Sequence, residues 1–140
     1  MNSNDLLRHE LIKKYMNLHA EKTVGSMIVL WERMATEIVS LVGEGGFNSL
    51  FERCISLTQI KFPWLILSSS SWQSTYQFAE LRLRFEEQMV VQSHAANNQL
   101  LIAFTDLLAS LIGEQITVVI LHTAMDSKKA HDSSPKELEK

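Results

Sequence analysis

The chain has 140 residues, 46% of them hydrophobic and 21% charged, enough apolar material for one domain with its own core. Its formal charge is −3 and its 13 Lys and Arg are thinly spread, so no basic face is available for nucleic acid or an anionic membrane surface. Cys54 is the only cysteine, which excludes an intrachain disulfide and points to a reducing, cytoplasmic setting.

With 5 glycines and 2 prolines, the chain has few breakers, and this favours long helices over many short strands. The opening segment is charged every few residues and lacks the apolar run of a signal peptide. Asn4 or Asp5 is placed to cap a first helix, whose stripe is Leu7, Leu11, Tyr15 and Leu18. The spacing predicts a second helix over about 23–42, with Met27, Leu30, Trp31, Met34, Ile38, Leu41 and Val42 on one side. Gly43 follows as a left-handed C′ residue. "GEGG" reads as a tight turn into a third helix carrying Phe47, Leu50, Phe51, Cys54, Ile55, Leu57 and Thr58. Pro63 interrupts that run within "FPWL", and "SSSS" from Ser68 to Ser71 is a polar connector.

The next helix is predicted over about 73–95, with Phe78, Leu81, Phe85 and Met89 as its stripe. From Ala95 to Met125 the formal charges are Asp106 and Glu114 alone. Leu100, Leu101, Phe104, Leu107, Leu108, Leu111 and Ile112 leave little room for a polar face. Such a segment is either the central helix of a bundle or part of a subunit interface. No stretch of about eighteen residues is free of both charge and punctuation, so a membrane-spanning helix is not expected. "ITVVILHT", Ile116 to Thr123, is rich in β-branched residues, but its one conceivable strand partner is "WLIL", so helix is favoured. Residues 126–140 have almost no apolar content and read as a flexible tail. The fold class is all-α: one helical domain over 1–125, a bundle of five to six helices with a polar connector near 68–72.

"SLVGE", Ser40 to Glu44, recurs as "SLIGE", Ser110 to Glu114. Shifting the chain by the 70 positions that separate Ser40 from Ser110 lays Leu30 on Leu100, Met34 on Phe104, Ile38 on Leu108 and Phe51 on Leu121. This predicts two similar helical halves, 1–67 and 73–125. Any two helix–turn–helix units share some of that agreement, so duplication and independent recurrence both stay open.

Few residues suggest chemistry. No histidine has a glutamate three positions before it, and Lys13 stands where the second histidine of H-E-x-x-H belongs. No metal or cofactor is expected. His9 and His94 read as surface histidines, and Cys54 reads as an inert core thiol. "GEGGF" matches neither nucleotide-binding fingerprint. Trp31, Trp64 and Phe104 could line an apolar ligand pocket, while Trp64, Trp72, Leu101 and Leu108 are candidates for a partner interface. Three readings follow. The leading one is a non-enzymatic interaction or regulatory module, homodimeric, docking on a protein partner. The second is a helical sensor of a small molecule, and the third an enzyme with a dispersed site of His122, Asp106 and Glu114.

Overall fold

A computed structural model describes residues 3–18, 23–67 and 74–126, and shows an all-α bundle. Its helices are α1 (Ser3–Leu18), α2 (Val24–Gln59), α3 (Ser74–Glu86), α4 (Val90–Ile112) and α5 (Glu114–Met125). Among the described residues there is no strand, and the β-branched run is helical within α5. The serine connector, Trp72 and the tail beyond Asp126 lie outside the described residues.

α4 is the centre of the bundle and packs against α1, α2, α3 and α5. That position explains its missing polar face: Leu100, Leu101, Phe104 and Leu108 are all fully buried. By length and composition α4 is also apolar enough to cross a membrane, which the charge pattern did not suggest. Around it, Trp31, Phe47, Phe51, Phe78 and Phe104 form one network of ring contacts, with Trp31 meeting Phe104 edge-on at 5.3 Å and Phe51 at 5.4 Å.

Both repeated pentapeptides end a helix, but not through the left-handed cap expected. Gly43 has φ 83° and ψ 165°, and Gly113 has φ 100° and ψ 154°. This positive-φ, extended-ψ region is essentially closed to other residues. A Cβ at either position would meet nothing within 4 Å, so backbone conformation, not space, demands glycine. Each glycine is a one-residue joint between two helical segments. At the second joint, the Gly113 N–H donates to Ala109 O at 2.9 Å, and Thr117 N–H and Oγ1 return to Gly113 O. The turn at "GEGG" is therefore Gly43 alone. Glu44, Gly45 and Gly46 are already helical, dividing α2 into arms over 24–42 and 44–59.

Three other expectations need correcting. The helix predicted over 73–95 is two helices, because the chain is extended at Met89 (φ −65°, ψ 150°). There Ser93 caps the end of α3 instead, donating from Oγ to Phe85 O at 2.6 Å. On α1 the buried stripe is rotated by about one residue: Arg8 and Ile12 are buried while Leu7 is 68% exposed. Leu41 and Leu111, the leucines of the two pentapeptides, and Leu57 are exposed and not part of the stripes.

The halves nevertheless correspond. Burial coincides at Met27 and Asn97, Leu30 and Leu100, Trp31 and Leu101, Met34 and Phe104, Ala35 and Thr105, and Ile38 and Leu108. Beyond the glycine joints it coincides again at Phe47 and Thr117, Phe51 and Leu121, and Cys54 and Ala124. The first helix of each half crosses over: α1 lies on α4 and α5, whereas α3 lies chiefly on α2.

Candidate functional site

The densest polar constellation is built on Arg8. Its place on the inner face of α1, one turn before Ile12, turns a long cationic side chain into the bundle, where only 1% of it remains exposed. A guanidinium in that position must be paired, since burying an isolated charge is prohibitive. Asp106 lies near the end of α4, and the Gly113 joint places Glu114 at the start of α5, where the helix dipole also favours a carboxylate. Arg8 Nε donates to Glu114 Oε2 at 2.8 Å and Nη2 donates to Oε1 at 3.2 Å. Nη1 donates to Asp106 Oδ1 at 2.5 Å and to Thr105 Oγ1 at 3.2 Å. Thr105 passes its own proton back to Leu101 O. His9 Nε2 stands 2.8 Å from the same Asp106 oxygen.

Burial, the largest single influence on Arg8, lowers its pKa; the hydrogen bonds it donates to Glu114 and Asp106, with their charges, outweigh it and the net shift is upward. The cluster is thus an ionic clamp joining α1, α4 and α5. It unites Asp106 and Glu114 of the dispersed enzyme site, but not His122, which is exposed on α5. A guanidinium sits between the carboxylates where an acid–base pair would need a substrate. Arg8 was missing from the sequence-based candidates, and His9, read there as a surface histidine, is largely covered and meets Asp106. The available signal was the i, i+4 spacing of Arg8 and Ile12, which an apolar-stripe reading passes over in favour of Leu7.

A second buried polar link crosses the core: Trp31 Nε1 donates to Asn97 Oδ1 at 2.8 Å, and Asn97 Nδ2 reaches Met16 Sδ at 3.9 Å. Trp31 and Phe104, predicted to line a ligand pocket, instead fill that space with each other and with Phe47 and Phe51. Leu101 and Leu108, predicted for a partner interface, are fully buried inside the protomer and present nothing to a partner. The central position of α4 takes up Leu100, Leu101, Phe104 and Leu108, while Leu111, Ile116 and Val119 of the same apolar stretch stay exposed. Cys54 is fully buried and burial pushes its thiol well up. Among the described residues, no group of three or more His, Cys, Asp or Glu could hold a metal ion.

Among the described residues predicted for the pocket or the interface, Trp64 alone stays partly exposed, set edge-on to Phe62 at 6.0 Å and to Phe85 at 6.3 Å. It marks the end of the bundle where α2 and α3 finish and α4 begins. That end is tied together by Gln59 Nε2 donating to Leu65 O at 2.7 Å and Arg84 Nε donating to Ile66 O at 3.0 Å. Ile60, Ile66, Met89, Val90 and Val91 are exposed there.

Fold and site together define a small all-α bundle with a buried arginine clamp and, among the described residues, exposed apolar side chains around Trp64. No family model matches the chain, and no match was found among curated proteins or solved structures.

Proposed function

We propose that the chain is a non-enzymatic helical interaction module, homodimeric, which acts by docking on a protein partner through the end that carries Trp64. The observation behind this reading is the concentration of uncovered apolar side chains there: Ile60 is 79%, Met89 76% and Val91 73% exposed. Scattered exposed apolar residues are ordinary, but several around a half-buried tryptophan have the composition of a contact surface. Lys61, Glu87 and Gln92, exposed at the same end, supply the polar rim that such surfaces carry. The non-enzymatic part is supported by the occupation of Asp106 and Glu114 by Arg8 and by the raised pKa of the Cys54 thiol.

Photo-crosslinking in extract of the native host tests it. A crosslinker at position 91 should give one dominant adduct with a single protein, absent when the crosslinker stands at Glu37. Ile60→Lys should abolish the adduct while changing stability by no more than about 0.5 kcal/mol, as for other surface substitutions. Equal labelling from both positions, or none, would remove the Trp64 end as a docking surface.

A further inference from the structure

We infer that the outer face of α5 binds the same face of a second copy of this chain, as an antiparallel helix pair with Val119 on the two-fold axis. The inference rests on the homodimeric part of the reading above and supplies its contact.

α5 buries Thr117, Ile120, Leu121 and Ala124 and leaves Gln115, Ile116, Val119, His122 and Thr123 exposed. At about 100° per residue these five share one face, and Val119 stands at its middle, 62% exposed. Apart from Glu114, which Arg8 holds, α5 carries no formal charge. Burial explains missing charges at inward positions, but not at outward ones. The other half of the chain supplies a control. The arm over 44–59 matches α5 in burial at Phe47 and Thr117, Phe51 and Leu121, and Cys54 and Ala124. At the remaining corresponding positions it holds Gly46, Ser49, Glu52 and Arg53 where α5 has Ile116, Val119, His122 and Thr123. Two segments with the same inward pattern thus differ outward, one an ordinary solvated surface and the other apolar and uncharged. Packing among the described residues does not account for that difference, whereas an outer contact does.

The pattern on this face is self-complementary. A two-fold contact sets each residue on the axis against its own copy, which brings like charges together on a charged face such as that of Glu32 and Glu37 on α2. The α5 face carries no such cost. In an antiparallel pair crossing at Val119, Ile116 of one copy meets His122 of the other, and Gln115 meets Thr123. The Gln115 amide and the Thr123 hydroxyl each donate and accept, so a polar pair closes both ends of an apolar centre. Val119 and Ile116 are stiff at χ1, and burying them forfeits little rotamer freedom. A face one short helix wide is smaller than the roughly 800 Å² per partner of a stable interface, so the dimer is a weak one that forms with rising concentration.

Charge substitution at the axis tests the pairing. By light scattering of the full chain from micromolar to millimolar concentration, the parent should dimerise. Val119→Lys and Val119→Glu should each weaken the dimer by about tenfold or more, because each sets like charges face to face. Mixed in equal amounts, the two variants should recover a dimer at least as tight as the parent's. Variants that dimerise like the parent, or a mixture that stays monomeric, overturn the α5 pairing. Near-ultraviolet circular dichroism checks that both variants fold, and Val119→Cys is the smaller change should either not. A short thiol-to-thiol crosslinker should join Val119→Cys into a dimer but not Ser49→Cys, at the corresponding position of the other half; equal crosslinking of the two overturns the pairing. Ile60→Lys with Val91→Glu should leave the dimer intact. Loss of the dimer there, with none in the Val119 variants, would assign self-association to the Trp64 end, overturning the α5 contact and keeping the homodimer. A parent that stays monomeric, whether the face is bare or taken by a different protein, overturns the contact together with the homodimeric part, and leaves docking at the Trp64 end to its own crosslinking test.

Discussion

α1 and α3 hold corresponding places in the two halves, yet the bundle grips them by different means. α3 inserts Phe78, Leu81 and Phe85, all buried; Phe78 joins the ring network around Trp31, and Phe85 supports Trp64. α1 inserts Ile12 and Arg8. Each large apolar side chain buried on α3 contributes about 1.5–3 kcal/mol without demanding a particular orientation. A buried ion pair must first recover the desolvation of both charges, so its net contribution is small and its directional demand is high. The same architectural position is therefore glued in one half and keyed in the other. Strength resides in α3, and selectivity in α1.

The sharpest way to break this contrast is to remove glue. Phe85→Ala should lower the unfolding free energy by about 3–5 kcal/mol, read as a shift of the whole urea transition, because the ring lies in the shared core. Next come the joints. Gly43→Ala and Gly113→Ala should each cost about 1–3 kcal/mol, and by nearly equal amounts, since both backbones occupy the same glycine-only region. A large inequality in the two urea midpoints would show that the halves are not energetic equivalents.

Removing the key should do less to the whole and more to one helix. Arg8→Met keeps the buried volume, and Asp106 is 46% exposed, so its carboxylate can turn to water. Glu114, only 20% exposed, also loses its partner, so the global transition should move by about 1–3 kcal/mol, less than for Phe85→Ala, and the amides of α1 should lose most hydrogen-exchange protection. A global loss comparable to that of Phe85→Ala would mean that α1 is part of the main core.

The smallest expected effect is alkaline. Burial raises the Cys54 thiol, so the folded state keeps a proton that the unfolded chain gives up near pH 8.5. Stability should be flat below that point and fall as pH rises beyond it, and Cys54→Val should flatten the profile in this range. Tyr15 on α1 is raised by burial too, against an opposing pull from Arg33. It adds the same sign of dependence from about pH 10 upward, so the two steps separate Cys54 on α2 from Tyr15 on α1.

Much of the fold was legible in the sequence. Trp31, Met34, Ile38, Phe51 and Cys54 recur at helical spacing because one face of each segment must be apolar, and all are buried. The two glycines were readable as breaks because little else punctuates the chain. The break at Met89 was not, since Glu86 to Met89 contains neither glycine nor proline and ends on an apolar residue that looks like the next member of the stripe. The clamp was less visible still. An arginine beside leucines reads as surface when periodicity counts apolar residues only, and nothing local shows that two carboxylates about a hundred positions later will meet it. Trp64 could be suspected from its irregular context beside Pro63, whereas Leu101 and Leu108 misled because an all-apolar helix serves equally as an interface or a centre.

The amino-acid sequence by itself determined that the chain is helical, where its apolar stripes run and that two glycines punctuate matching halves. Those features follow from local periodicity and backbone sterics. Tertiary structure alone decided that α4 is the centre, that α1 crosses to the opposite half, and that Arg8 finds Asp106 and Glu114. Each of these depends on which distant surfaces meet, and a buried charge is tolerable only where the rest of the chain delivers its partners.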